Sequence, residues 1–277
     1  MSVVVVTDAS SRLPAELREK CAIRVVPLHI LLDGVDLRDG VDEIPEDIYQ
    51  LHATTAAATP AELADAYQQA LADSDGDGVV AVHISSALSG TFGVGERTAA
   101  DLDPGIRVID SRSAAMGTGF VALAAARAAA AGGNLDAVAR AAGAAVSRCH
   151  AFIVVHRLDN LRRSGRIGGA TAWLGTALAL KPLLRIDDGK LVLAQRVRTV
   201  SHATATMIDR VCEVVGDSPA ALAVHHVVNP EGAQAVATAL AQRLPACEPA
   251  VITPMGAVLA AWANQPANWV SSRPISR

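Results

Sequence analysis

Three short apolar runs in the first half of the chain each end in a cluster of polar side chains: "SVVVVTDAS", "GVVAVHISSALSGT" and "GIRVIDSRS". Runs this short, rich in Val and Ile, predict strands buried on both faces, as in a parallel sheet. Helical patterns separate them: "SSRLPAELREKCA", "TPAELADAYQQALADS" and "GTFGVGERTAADL". Such alternation implies an α/β domain with a mostly parallel sheet flanked by helices. Ligands of such sheets sit beyond the carboxyl ends of the strands. The clusters "TDAS", "SSALSGT" and "DSRS" are therefore expected on one edge.

Local signals sharpen parts of this outline. Thr59 is the expected N-cap of a helix that has Pro60 in its first turn and Glu62 three residues after the cap. Hydroxyls are expected to cap the helix in "SSRLPAELREKCA". "IRVVPLHILLDG" reads as a strand pair, "PEDIYQLHA" as helical, and Gly132–Asn134 as a stop between two Ala-rich helices. From Cys149 the pattern changes. "HAFIVVH" reads as a strand, and "RLDNLRRSGRIGGATAWLGTALAL" as a basic helix, a glycine-rich break and an apolar helix. A hairpin is expected to turn at Asp187-Asp188-Gly189, followed by helix, strand, helix, strand and helix. The expectation is two α/β domains, 1–149 with the mostly parallel sheet and a smaller 150–277.

Hydrophobic residues make up 51% of the 277 but aromatic ones only 3%, so any pocket is expected to have aliphatic walls, suited to an alkyl chain more than to a stacked base. The net charge of −4, with both signs mixed, lacks the basic footprint of a nucleic-acid binder. Cys21, Cys149, Cys212 and Cys247 are far apart and form no C-x-x-C pair, so no metal or redox motif is read. The N-terminus lacks a signal-peptide pattern, and the longest apolar stretch, broken by Arg127, falls short of the roughly 20 residues of a span. A cytoplasmic protein with no membrane span, and at most transient membrane contact, is expected.

The loop "SSALSGT" admits three readings. Gly90, Gly93 and Gly95 do not fit G-x-G-x-x-G, and no P-loop occurs. No G-x-S-x-G is present, and Ser86 and Ser89 have no base partner in sequence; His83 reads as an ordinary strand histidine. An anion seat needs only hydroxyls and a helix N-terminus. Plain capping of the next helix by Ser89 or Thr91 stands level with it. Of the arginines in "LRRSGRIGG", Arg162 and Arg163 read as a solvated helix end. Arg166, in a tight turn, is the better candidate for gripping an anion. His225-His226 lacks metal spacing.

Together, "VVTDASSRLP", "VVPLHILLDGVDLRDGVDEI", "ISSALSGTF", "VIDSRSAAMGTG", "LDNLRRSGRIGG" and "LALKPLLRIDDGKLVLAQRVRT" resemble, in order, the DegV family of bacterial fatty-acid-binding proteins. The resemblance implies one long-chain fatty acid in an apolar tunnel, held as ligand without any cofactor or metal. It also implies a separate kinase partner that phosphorylates the carboxylate, and no catalytic residue in this chain. By position, the carboxylate-binding threonine falls on Thr55. The family serine falls on Ser89, with Ser86 beside it and Gly90 and Thr91 in the same loop. Arg166 and Arg198 match the family's head-group or partner arginines. The family's Thr-Asp-Ser reads Thr7-Asp8-Ala9, the Ser after the threonine reads Ala56, and the turn's first glycine reads Ser164. The C-terminal His-Thr-Gly-Pro-Gly reads Ile252 to Gly256, with Ile252 in place of the histidine. Alternatives are a small-anion kinase or hydrolase, suggested by the family's similarity to a dihydroxyacetone kinase domain, and a member with altered ligand or no kinase coupling.

Overall fold

The computed structural model describes residues 2–155, 161, 163–167, 181–263 and 268–274. Strands β1 (Val4–Asp8), β2 (Arg24–Val26), β6 (Val79–His83) and β7 (Ile106–Asp110) form an all-parallel sheet in the order β2-β1-β6-β7. Their side chains alternate between two cores. Val6, Val79 and Ala81 face helices α2 (Pro60–Ser74) and α3 (Thr91–Leu102), while Val5, Val80 and Val82 face α4 (Met116–Ala130) and α5 (Leu135–Val146). Burial on both faces explains the unbroken valine runs. Asp8, His83 and Asp110 end neighbouring strands on the expected edge.

Helix α2 starts as its sequence predicts. The Thr59 hydroxyl accepts from the Glu62 N–H at 3.3 Å, and the Glu62 carboxylate accepts from the Thr59 N–H at 2.9 Å. The short helix α1 (Ala15–Lys20) differs from expectation, because Pro14 holds its N-cap without a side-chain bond. The hydroxyls upstream lie in a 3-10 turn, Ala9–Ser11, where Ser10 donates to Asp8. "PEDIYQLHA" also differs. It forms only a 3-10 turn at Ile48–Gln50, and the chain then extends into β5 (Thr54–Ala56). With β3 (His29–Leu32) and β4 (Val35–Arg38), β5 makes a small antiparallel sheet in the order β4-β3-β5, with Thr55 opposite Ile30.

The second half contains a six-stranded mixed sheet. Its strands are β8 (His150–Val154), β9 (Lys181–Asp187), β10 (Lys190–Val197), β11 (Ala220–His226), β12 (Val251–Pro254) and β13 (Asn268–Pro274), in the order β10-β9-β8-β13-β11-β12. Strand β13, absent from the sequence reading, is central and antiparallel to both neighbours. Helices α6 (Val200–Val215) and α7 (Pro230–Arg243) cover one face, packing on Phe152, Val154 and Leu183. The other face, with Ile153, Leu184, Leu191 and Trp269, shares one continuous core with the first half and with the short α8 (Ala257–Ala263). The expected "RLDNLRRSGRIGGATAWLGTALAL" helices fall for the most part outside the described residues, Arg162 among them. No described helix is long and apolar enough to cross a membrane.

Polar contacts among the described residues tie the halves together. The β9–β10 hairpin turns at Asp188-Gly189, as predicted, and its tip meets the first sheet's edge: the Ser85 hydroxyl donates to the Gly189 carbonyl at 2.8 Å, and Arg112 pairs with Asp188 at 2.7 Å. Arg12 donates to the Pro254 carbonyl at 3.2 Å and faces Asp39, whose other oxygen accepts from the Val258 N–H at 3.3 Å. The Met116 N–H, which opens α4, donates to His225 Nε2 at 3.2 Å.

Candidate functional site

The strand-end loops are braced from beneath. Asp8 is fully buried, and its carboxylate accepts from the Ser10 N–H (3.0 Å), the Ser10 hydroxyl (2.5 Å), the Ile84 N–H (2.9 Å) and His83 Nδ1 (3.0 Å). A buried carboxylate needs such donors. His83 Nε2 accepts from the Tyr67 hydroxyl at 2.7 Å, and burial together with the Asp8 charge raises the pKa of that phenol. His83 is thus the centre of a buried relay, not an ordinary strand histidine. Tyr67, His83 and Asp8 are all sealed from solvent, and no substrate can reach them.

The loop above turns on its own hydroxyls. Ser86 is exposed and donates to Asp110 at 2.6 Å. The Ser89 hydroxyl lies 2.9 Å from that of buried Thr91 and accepts from the Thr91 N–H at 3.3 Å, while Gly90 takes the N-cap position of α3. Ser89 therefore performs a capping bond and is half-buried.

Beside this loop lies a pocket of about 320 Å³, whose walls include Thr55, Arg163, Ser164, Arg166 and Trp262. The fold brings Thr55 from β5, Arg166 from the glycine-rich turn and Trp262 from α8 together across long stretches of sequence. Trp262 Nε1–H donates to the Thr55 hydroxyl oxygen at 3.2 Å. A hydroxyl whose oxygen already accepts a bond keeps its own proton for another partner. The Arg166 guanidinium stands 5.4 Å above the Trp262 ring, within cation–π range. Its Nε donates to the Leu88 carbonyl at 3.3 Å, which ties it to the "SSALSGT" loop, and Nη1 donates to the Ser164 carbonyl at 2.7 Å. Two carbonyls leave other guanidinium N–H groups without a bond, and no carboxylate among the described residues pairs with Arg166. Burial lowers its pKa from the usual 12.5, the direction expected of a cation held partly out of water.

Ser86, Ser89, Gly90 and Thr91 are not on this wall. They stand one contact away, through Leu88, and Gly90 backs onto Ala57 just past β5. Arg198 is exposed at the end of β10, away from the pocket. Ile252 packs on the α6–α7 face of its sheet, opposite the face that carries Trp269, so position 252 does not point toward this pocket. Trp262 was missed in sequence; a lone tryptophan in "AVLAAWAN", in a chain with so few aromatics, was the available signal.

Beside Trp262 lies a small cavity, also walled by Ile153, Leu191, Met255, Leu259 and Trp269, of about 20 Å³, room for roughly one water. Polar, half-buried chemistry thus opens directly onto an apolar interior. The described residues hold no group of His, Cys, Asp and Glu able to bind a metal.

A model of the DegV family, described as an uncharacterised protein family, matches residues 2–267. The chain belongs to the DegV family. A DegV domain-containing protein of Mycobacterium tuberculosis is 77% identical over 260 residues, 94% of this chain and 93% of the relative. One from Streptomyces coelicolor is 37% identical over 264 residues, 94% of each chain. Among solved structures, a DegV family protein from Thermus thermophilus, described as binding fatty acid, superposes with a TM-score of 0.89 at 30% identity, covering 99% of this chain and 100% of that one. DegV from Bacillus subtilis, described as a fatty acid binding protein, gives 0.90 at 26% identity, with coverage of 99% and 100%. The mixed α/β architecture is that of these DegV proteins.

Proposed function

We propose that this DegV protein is a cytoplasmic carrier of a long-chain fatty acid, with 1–149 and 150–277 as its two domains and the ligand between them. The observation that carries the reading is Arg166: a half-buried guanidinium with no carboxylate partner among the described residues, beside a Thr55 hydroxyl whose oxygen accepts from Trp262, next to an apolar interior. A carboxylate fits that chemistry. Burying it bare costs several kcal/mol, and each hydrogen bond to the charged group returns about 1.5–3 kcal/mol. The Thr55 hydroxyl and the Arg166 guanidinium together roughly offset the cost, and Ser89, one contact from this wall, is the donor for a carboxylate that reaches the loop. Each buried methylene then adds about 0.8 kcal/mol before ordering losses, so the interior sets affinity and the pocket sets orientation. Arg198, exposed and outside the pocket, suits contact with a partner more than contact with the head group.

The relatives described as fatty acid binding support the lipid class. The partner implied by the family is a kinase that transfers a phosphoryl group to the carboxylate, which requires a head group reachable from outside. The exposed Arg163 at the pocket rim is consistent with that access. The enzyme alternative finds less support, because the buried Asp8–His83–Tyr67 relay faces no pocket and Ser86 is engaged by an acid. Native mass spectrometry of gently purified protein tests the carrier reading. A co-purifying or added fatty acid at one per chain is expected, and repeated absence of both would sink it. Phosphoryl transfer from ATP to the bound acid only when a kinase is added would support the partner. Turnover of ATP or an acyl ester by the isolated chain would favour the enzyme.

A further inference from the structure

Met255 lies at the seam between two apolar spaces. On its inner side is the small cavity beside Trp262. On its outer side is an open cleft of about 310 Å³, with Ile44, Ile48, Val227, Val228 and Ala260 on its walls. Among the described residues Met255 is the one side chain that lines both, just as Trp262 is the one that lines both the head-group pocket and the inner cavity. Head-group pocket, inner cavity and outer cleft thus form a series with one side chain at each junction. Met255 is 3% exposed, and its backbone is held by the bond from its N–H to the His226 carbonyl at 2.9 Å. The side chain above that anchored backbone is an unbranched thioether with three rotatable bonds, the side chain best able to swing without disturbing the backbone.

We propose that Met255 is the gate that sets how long an acyl chain this protein accepts. The proposal rests on the fatty-acid reading above. An acid that ends before Met255 is held by the pocket and the inner cavity once Trp262 and its neighbours give way. A longer acid must turn the thioether aside and place its last methylenes in the outer cleft, whose apolar walls receive them and whose rim, with Glu46 and His226, is polar. Each methylene that gains burial there strengthens binding by about fourfold.

Delipidated wild type, Met255→Ala, Met255→Phe and Ile44→Trp would each be titrated with dodecanoate, palmitate, stearate and behenate. Met255→Ala is expected to raise affinity for behenate relative to palmitate by at least about tenfold. Met255→Phe is expected to weaken stearate and behenate more than dodecanoate. Ile44→Trp, which fills the cleft from its half-buried wall, is expected to penalise behenate most. Thr55→Val should weaken all lengths by one common factor, which separates head-group effects from tail effects. Binding by wild type with the same length preference in the folded Met255 and Ile44 variants overturns the gate and leaves the carrier reading standing. No binding of any acid by wild type overturns both.

Discussion

At the scale of single residues, Thr55 and Trp262 act as a pair. The indole satisfies the acceptor side of the threonine, so on the proposed reading the threonine proton is the one offered to the carboxylate. Thr55→Val, nearly the same shape without the hydroxyl, should weaken fatty-acid binding by about tenfold to a hundredfold, the worth of one hydrogen bond to a charged group. Trp262→Phe keeps a ring beneath Arg166 but lets the hydroxyl rotate, so a smaller loss is expected; isothermal titration of both variants would rank them. Two histidines respond to pH with opposite signs. His225 is wholly buried, and burial, with Arg12 nearby, lowers its pKa from 6.5 to about 3. Because Nε2 accepts from Met116, the proton sits on Nδ1, and the ring is neutral when folded. Between pH 6.5 and about 3 the unfolded chain binds a proton the native one refuses, so stability falls as pH falls through that window. His29 behaves the other way. Burial disfavours its charge, but bonds to Glu62 and Asp36 outweigh that and raise its pKa above 6.5. Its contribution is complete below 6.5 and is lost as pH rises through the raised value. Urea denaturation across pH should show both slopes, with His225→Gln flattening the acid one and His29→Gln the neutral one.

At the scale of elements, His29 shows how the site is buttressed. It lies on β3 opposite Ala56 of β5, next to Thr55, and its Nε2 reaches Glu62 of the α2 capping box at 2.8 Å. The same carboxylate thus starts a helix and steadies the strand that bears the candidate head-group residue. Glu62→Gln should destabilise the fold by about 1 kcal/mol through the weakened cap and histidine bond. It should also remove most of the His29 slope, measurable as midpoint against pH. Elements of this kind were legible in sequence to different degrees. The α2 cap announced itself because Thr59, Pro60 and Glu62 are local signals. Strand β5 did not, because its pairing with β3 is a tertiary gain that local helical tendency in "PEDIYQLHA" conceals. Strand β13 was hidden for a related reason: "NWVSSRP" carries two serines and an arginine, and only its place between β8 and β11 buries them. At the site, Thr55 and Arg166 were reached through ordered motifs, whereas Trp262 and Met255 matter through what they touch, and spacing cannot report contact.

At the scale of the whole molecule, the halves are held by few polar links and one shared core. Gly189 is one of these links. Its φ is +78°, and a Cβ there would overlap Ser85 Oγ and stand 3.5 Å from Arg112 Cα. Gly189→Ala combines backbone strain with a steric push against the first sheet, so a loss of about 1–3 kcal/mol is expected. The lost contact should split unfolding into two transitions, visible when circular dichroism and tryptophan emission cease to coincide in urea, because all three tryptophans, Trp173, Trp262 and Trp269, belong to the second half. The split leaves the strand-end hydroxyls of the first half in place while removing the face against which they work.

The central position of β13 also has a consequence for how the protein is made. A ribosome emits the parallel sheet of the first half complete, with all four strands and their helices contiguous in the chain. The six-stranded sheet has no such luck of order: β8, β9 and β10 emerge as one block and β11 and β12 as another, and only the last strand to emerge joins them. Until residue 274 is clear of the exit tunnel, two sheet edges that will face each other stay open, and the Trp269 side of the apolar interior has no wall. The half with the six-stranded sheet is therefore completed after the half that carries the strand-end hydroxyls.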